Sequence, residues 1–422
     1  MADAAEQSEE LVTADGKPLR VSLAHAQRRQ KVGAVLLVTP LFIFIMVTFF
    51  VPIADMLFRS VENSIVKEFL PRSTKLLTQW DPSKKLLPSE EVFAAMVEDI
   101  KIGRKNRTIT RVGQRLNYEM SGMSSLFRSS GRKVKRINKS PYKPALIMAN
   151  KKWGDLETWK LIKQFSPAYT DGYLLAAVDA KRQFDGGVAQ VSESRRIYLP
   201  LFVRTLRLSL IITLLTLLFG FPVAYLMATL PTKASNVLLI FVLLPFWTSL
   251  LVRTTAWIAL LQQQGVINEF LVVVGLVSTE NRPQMIHNEF GTIVAMTHIL
   301  LPFMVLPLFS VMKTIPDSYV RAAVSLGAHP WVAFWKVYFP NTVPGIGAGA
   351  ILVFILAIGY YITPELVGGT TGTFISNRIA HHISSSLNWG LAASLGIILL
   401  AVVIALFLIY DKIVGIDNMK LG

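Results

Sequence analysis

The sequence predicts an all-α membrane protein of about six transmembrane helices, and two observations carry that expectation. Of 422 residues, 52% are hydrophobic and only 17% are charged, a balance too apolar for an ordinary water-facing surface. The apolar residues also gather in runs of about twenty or more, the length that a helix rising about 1.5 Å per residue needs to cross about 30 Å of hydrocarbon. Because lipid offers backbone N–H and C=O groups no partners, each run must be helical through the bilayer, and the runs are too long for barrel strands.

The expected spans are Val32 to Leu57, Leu208 to Leu226, Val237 to Leu261, Gly291 to Val311, Ile346 to Val367, and Leu391 to Tyr410. Arg28, Arg29 and Lys31 precede the first. Its apolar stretch is longer than a signal-peptide core and no small-residue cleavage site follows, so it reads as an uncleaved anchor. Basic residues in the N-terminal flank, at Lys233, from Lys313 to Lys336 and at Lys412 fall on one side, which the positive-inside rule makes cytoplasmic. The opposite loops are poorer in them: Gln262 to Phe290 sets Arg282 against Glu269, Glu280 and Glu289, and Gly368 to Gly390 has only Arg378. The expected organisation is a cytoplasmic tail (1–31), a first transmembrane helix (32–57), an outer insert (58–199), a transmembrane core (200–411) holding a cytoplasmic loop (313–342), and a cytoplasmic tail (412–422).

The insert is polar and holds no membrane-length apolar run. From Lys101 to Lys152 it carries fifteen Lys and Arg against a single acid, Glu119, and so supplies +14 of the chain's formal +16. Positive charge on the outer side runs against the positive-inside rule, but loops beyond about 60 residues cross largely regardless of charge. Nucleic-acid binding is disfavoured: only Tyr118, Phe127 and Tyr142 interleave the basic residues, and stacking platforms need more. A solvated face near anionic membrane lipid or an acidic partner is the plainer reading.

No covalent chemistry is legible. Cysteine is absent, which excludes disulfides, thiol catalysis and Cys-ligated metal. There is no Gly-x-x-x-x-Gly-Lys-[Ser/Thr] phosphate loop, no His-Glu-x-x-His and no Gly-x-Ser-x-Gly. The adjacent His381 and His382 would point to different sides of a helix and read as ordinary loop residues. No catalytic residue, metal or cofactor is expected, and any energy source must lie in another chain.

The stretch from Pro316 to Pro340 stands out. Pro316 and Asp317 open a short helix, Gly327 can end it, Pro330 suits the first turn of a second, and Pro340 stops that one. Trp331, Phe334 and Trp335 give the second arm an apolar stripe that needs a cover, either the chain's own transmembrane helices or a docked partner.

At these residues the chain resembles the inner-membrane permeases of bacterial binding-protein-dependent ATP-binding-cassette importers. Their loop signature is Glu-Ala-Ala, three residues, Gly, nine residues, Ile, any residue, Leu-Pro. Here Arg321, Ala322, Ala323, Gly327, Val337, Phe339 and Pro340 hold the matching positions, with Arg321 in place of the acid. The resemblance runs from about Tyr198 to Tyr410 and is nearest to the spermidine/putrescine branch, through Leu244 to Arg253, Leu300 to Pro307 and Glu365 to Gly369. The long basic insert does not match the shorter outer loop usual there.

The resemblance implies a type I importer permease fold with a large periplasmic insert between helices 1 and 2, lying in the inner membrane with both termini cytoplasmic. It implies that the elbow, through Arg321, Ala322, Ala323, Gly327, Trp331 and Pro340, docks in an ATPase subunit, with Ala322, Ala323 and Gly327 allowing close approach. Further partners would be a second permease subunit and a periplasmic solute-binding protein, and the cargo a small solute such as a polyamine.

Ionisable residues within spans are costly, so they point to function. Glu365, with Tyr360 and Tyr361, offers a carboxylate and aromatic faces to a cationic amine, or else belongs to an interfacial belt. Trp247 joins these three as a substrate-path candidate. Arg253 snorkels or pairs with an acid, and Gly345, Gly347 and Gly349 suggest close helix packing. An ion-coupled secondary transporter would show paired midplane charges or internal repeats, and a sensor or scaffold would need only one or two spans.

Overall fold

A computed structural model describes residues 19–184 and 186–414; residues 1–18 of the expected 1–31 tail and 415–422 of the 412–422 tail lie outside the described residues. The chain divides into two compact units, Met1–Phe58 and Arg59–Gly422. In the first, a helix runs from Leu19–Ile45 through a π turn, Met46–Phe50, into Val51–Arg59. Val51 N–H closes the wide turn on the Met46 carbonyl, giving room for the Pro52 ring, which has no N–H to donate. The Thr39 and Thr48 hydroxyls each donate to the carbonyl four residues back at 2.7 Å, so neither faces lipid unpaired. Gln30–Arg59 is long and apolar enough to be the first span.

The second unit opens with the insert, a set of short helices around an aromatic core. On Glu90–Lys105 the apolar residues Val92, Phe93, Met96, Val97 and Ile100 recur at helical spacing and are all buried. Phe93 lies 4.6 Å from Trp159, Trp159 lies 5.2 Å from Trp153, and Trp153 lies 5.5 Å from Phe127, centroid to centroid. Both indoles are satisfied: Trp153 Nε1 donates to Ser130 Oγ at 2.8 Å, and Trp159 Nε1 to the Trp153 carbonyl at 2.9 Å. A core of this kind replaces the disulfides that a cysteine-free segment lacks.

One of the basic residues belongs to that interior and not to a solvated face. Arg115 is 2% exposed, pairs with Glu119 at 2.9 Å, donates to Asn63 Oδ1 at 2.9 Å, and lies over the rings of Phe165 and Tyr173. Asn63 in turn donates to the carbonyls of Phe165 and Pro167, so the cation clamps the start of the insert to its end. A small antiparallel ribbon, Ala180–Arg182 with Val188–Gln190, is the only sheet among the described residues.

The membrane core follows: Tyr198–Thr229, Glu289–Thr314, Pro330–Gly359 and Trp389–Lys412 are each long and apolar enough to span. The second, fourth and fifth of the spans pack around Leu208, Met296, Leu300, Met304, Leu308 and Val353, all fully buried. As the glycine spacing predicts, the contact is close. A Cβ on Gly345 would lie 3.0 Å from Val311 Cβ, and one on Gly349 would lie 2.7 Å from Met304 Sδ.

Two expected spans are corrected. The third is broken: Thr232–Trp247 and Leu250–Val273 meet at 97°. Pro245 and the extended Thr248 and Ser249 interrupt the helix, and Ser249 Oγ restarts it by accepting Val252 N–H at 3.2 Å. The fifth ends at Gly359, not Val367, and a separate short helix, Ile362–Val367, follows the extended Tyr360.

Insert and core meet at Asp179. Its carboxylate, 4% exposed, accepts the Ile197 and Leu199 N–H groups at 3.0 and 2.7 Å, capping the second span from eighteen residues upstream. Asp179→Ala should cost about 1–2 kcal/mol, the worth of a strong N-cap. Hydrogen exchange at residues 197–201 should rise in the variant; unchanged protection there would show that the cap contributes nothing.

Candidate functional site

The elbow between the fourth and fifth spans is built by its end signals. Asp317–Ser325 is helical, and the chain leaves it through Leu326 and Gly327 with φ +94° at the glycine. Ala328 N–H donates to the Ala323 carbonyl at 3.0 Å and Gly327 N–H to the Val324 carbonyl at 2.9 Å, a Schellman closure that satisfies the last carbonyls and favours a residue without Cβ. His329 then caps the next helix, which begins at Pro330.

Pro340 does not stop this second arm. A π turn, Phe334–Tyr338, closes through Phe339 N–H on the Phe334 carbonyl and carries the helix on to Gly359. The arrangement repeats that before Pro52: one wide turn, one residue, then proline. The elbow's second arm is therefore the beginning of the fifth span.

The apolar stripe divides. Phe334 turns inward, edge-on to Tyr225 and Phe221 of the second span at 5.8 and 6.3 Å, while Tyr225 meets Tyr338 at 5.4 Å. Trp331 is 65% exposed and Leu326 is 90% exposed, with Tyr319, Val324 and Trp335 also open. Arg321, Ala322 and Gly327 are exposed, Ala323 is half-buried, and nothing lies within 4 Å of a Cβ built on Gly327. The elbow thus packs on its own span along one face and presents an apolar, small-residue surface along the other.

The substrate-path candidates separate. Trp247, at the break in the third span, is 73% exposed. Tyr360, Tyr361 and Glu365 lie together at the second break. Here Ser376 Oγ donates to the Tyr360 carbonyl, and Asn377 Nδ2 donates to the Tyr361 carbonyl at 2.8 Å and to Glu365 Oε2 at 2.6 Å. Glu365 remains exposed with one carboxylate oxygen tied down. Asn377, which organises this corner, carried no sequence signal. Neither did the Thr254 and Thr363 hydroxyls, 3.1 Å apart, which join the third span to the short helix Ile362–Val367.

His381 and His382 are not loop residues but lie on a helix, Ile375–Ser384. His382 bonds Tyr198 Oη through Nε2 at 3.0 Å and Ser386 Oγ through Nδ1 at 2.8 Å, while Tyr118 of the insert donates to the Ser386 carbonyl at 2.7 Å. The histidine helps hold the insert to the core.

Fold and elbow together define a multi-span membrane protein with a helical elbow between its fourth and fifth spans. Residues 217–415 match the family described as binding-protein-dependent transport system inner membrane component. The spermidine/putrescine transport system permease protein PotB of Haemophilus influenzae is 34% identical over 222 residues, 52% of this chain and 77% of that one. PotB of Escherichia coli is 33% identical over 224 residues, covering 53% and 81%. The inner membrane ABC transporter permease protein YdcU of Escherichia coli is 32% identical, covering 51% and 71%. A solved bacterial ABC transporter involved in alginate import aligns with TM-score 0.42 at 21% identity, over 52% of this chain and 80% of that one. This chain belongs to the family of binding-protein-dependent transport system inner membrane components.

Burial, followed by the positive charges of His381 and Arg378, pushes His382 down to about 4. The unfolded chain, titrating near the ordinary ~6.5, therefore takes up its proton first as pH falls. Stability from this corner is full above about 6.5 and is lost progressively toward about 4. The thermal midpoint of the detergent-solubilised protein should fall across that window more steeply for wild type than for His382→Gln. Identical slopes would exclude the histidine.

Proposed function

We propose that this chain is a membrane-spanning subunit of an ATP-driven importer and that the elbow from Pro316 to Pro340 docks on an ATPase subunit. One observation carries the reading: the elbow is closed as a rigid turn, fastened to the second span by Phe334, and open along Ala322, Gly327, Leu326 and Trp331. Movement imposed on that surface reaches the second span through Phe334, Tyr225 and Phe221. With Lys233, Lys313, Lys336 and Lys412 on the cytoplasmic side, both termini are cytoplasmic and the basic insert is periplasmic. A solute-binding protein delivers cargo to a cavity shared with a second permease subunit, and the chain itself breaks and forms no covalent bond.

Gly327→Leu tests the docking. The left-handed backbone strains any side chain, and the leucine would fill outward space that the chain itself leaves empty. Overpacking a fitted contact costs about 1–3 kcal/mol, so ATPase co-purification should weaken roughly fivefold to a hundredfold. Uptake should fall with it while membrane levels hold. Normal ATPase binding and transport by Gly327→Leu would remove the elbow's assigned role.

For cargo we propose a small organic cation of the polyamine class. The names of the PotB relatives and the exposed Glu365 carboxylate beside the exposed Tyr361 support it, since a carboxylate and aromatic faces suit an ammonium group. Glu365→Gln should lower spermidine uptake severalfold without changing subunit assembly. Uptake kinetics that match wild type would return Glu365 to a purely interfacial role.

A further inference from the structure

Most of the insert's positive charge has no counterpart in its own chain. Of the fifteen Lys and Arg between Lys101 and Lys152, Arg115 takes the segment's single acid, Glu119. No other of the fifteen enters an ion pair among the described residues. Four of them converge. Lys101, Arg104 and Lys105 share one face of Glu90–Lys105 at i, i+3, i+4 spacing, and the turn Val134–Arg136 brings Lys135 across from them. With Asn138 and the fully buried Val134 they line a cavity of about 490 Å³ to which no acid contributes.

Two of the four cations are held in place by neutral oxygens. Arg104, half-buried, donates through Nη1 to the Gly131 and Arg132 carbonyls at 2.6 and 2.9 Å. Lys101, also half-buried, donates to the Ile137 carbonyl at 2.6 Å and to Asn138 Oδ1 at 3.1 Å. Because that oxygen accepts, the Asn138 amide nitrogen faces away from Lys101 as a further donor. The helices that end here, Glu90–Lys105 and Met123–Lys133, each offer about half a negative charge at the C-terminus. Of four positive charges, about three therefore stay unanswered.

The cationic lining continues beyond this cavity. Lys101 also lines a neighbouring one of about 640 Å³, with Arg72, Lys75, Glu98 and Tyr142, and Lys75 lines a third of about 680 Å³, with Lys67 and Lys163. Glu98 is the only acid along all three, and it pairs with Arg72 at 3.4 Å. From Ala94 to Lys105 the helix carries the first two cavities over roughly 17 Å.

We infer that the cavity at Lys101, Arg104, Lys105 and Lys135 binds a phosphate group, and that the track leading from it takes ligands carrying several phosphates in a row. A carboxylate brings one charge, whereas a phosphate brings about 1.5–2 with three strong acceptor oxygens, which suits converging ammonium and guanidinium donors. Tyr142 is the one aromatic side chain on the track, so nucleobases find no stacking platform. The phosphates come either from a soluble polyphosphate or from closely set anionic lipid headgroups.

The test titrates the full-length chain, purified in detergent at low salt, with sodium tripolyphosphate and with inorganic phosphate by calorimetry. Tripolyphosphate should bind at least about tenfold more tightly, since each further neutralised phosphate adds to the affinity. Lys105→Gln combined with Lys135→Gln removes two exposed side chains outside the packed core and should weaken tripolyphosphate binding at least about tenfold. The charge-conserving pair Lys105→Arg with Lys135→Arg should keep it. Lys151→Gln with Lys181→Gln, which removes equal charge outside the three cavities, should also leave it near wild type. Should the first pair fail to fold, Lys135→Gln alone carries the comparison. In nanodiscs, binding blocked by phosphatidylglycerol but not by phosphatidylcholine assigns the cavity to lipid headgroups, and binding retained in both assigns it to a soluble ligand. No binding, binding indifferent to Lys105 and Lys135, an equal loss in the Lys151 and Lys181 pair, or equal binding of an oligoglutamate of matched charge would each overturn the inference. Neither uptake nor ATPase association enters this readout, which keeps it separate from the importer reading.

Discussion

Lipid offers no hydrogen bonds, and the membrane core is arranged around that constraint. Where the helices run unbroken, hydroxyls fold back on the carbonyl four residues earlier, as at Thr39, Thr48, Thr205 and Thr213. Two of the helical prolines, Pro52 and Pro340, are each entered through a π turn. Where the backbone does depart from helix, a side chain of the same chain meets the freed groups: Ser249 at the first break, Ser376 and Asn377 at the second. Irregular backbone at membrane depth is tolerated only where such internal partners are supplied or where it lines a cavity.

The insert answers a different solvent with different means. Without cysteine it relies on two tryptophans, two phenylalanines and a buried arginine held by Glu119, Asn63 and two aromatic rings. Removing a partner from that arginine would leave a buried charge unpaired, so the network specifies one arrangement of the first and last segments of the insert. It is tied to the core by polar links at Asp179 and Tyr118 and by Tyr173, whose ring packs against Gly390. Together they join the insert to the second span and to the corner before the sixth.

Much of this was legible in advance, for physical reasons that also explain the misses. Apolar runs of bilayer length report span number well, and the elbow's proline and glycine signals located its first helix and turn. Pro340 misled because proline is read as a stop, whereas a π turn absorbs it when the following residues are as apolar as 342–359. Hydropathy averages could not register the 97° break in the third span, since Leu244, Phe246 and Trp247 are as apolar as the helices on either side. The corner made by Asn377, Glu365 and Tyr361 joins residues 12 and 16 positions apart through a turn no periodicity encodes. His382 was missed because its partners, Tyr198 and Ser386, are defined only by the fold.

The placement of rigid and broken elements suggests how such a subunit divides its labour. The second, fourth and fifth spans share the methionine-rich core around Met304, where glycines bring backbones close enough that small displacements cannot be absorbed locally. The elbow meets that block through Phe334, which lies edge-on to Tyr225 and Phe221 of the second span. The bent third span is fastened differently, by the Thr254 to Thr363 bond and a few ring contacts, while Phe241, Trp247 and Leu251 on it remain exposed. A stiff, glycine-packed block and a more loosely held bent arm thus make up the core.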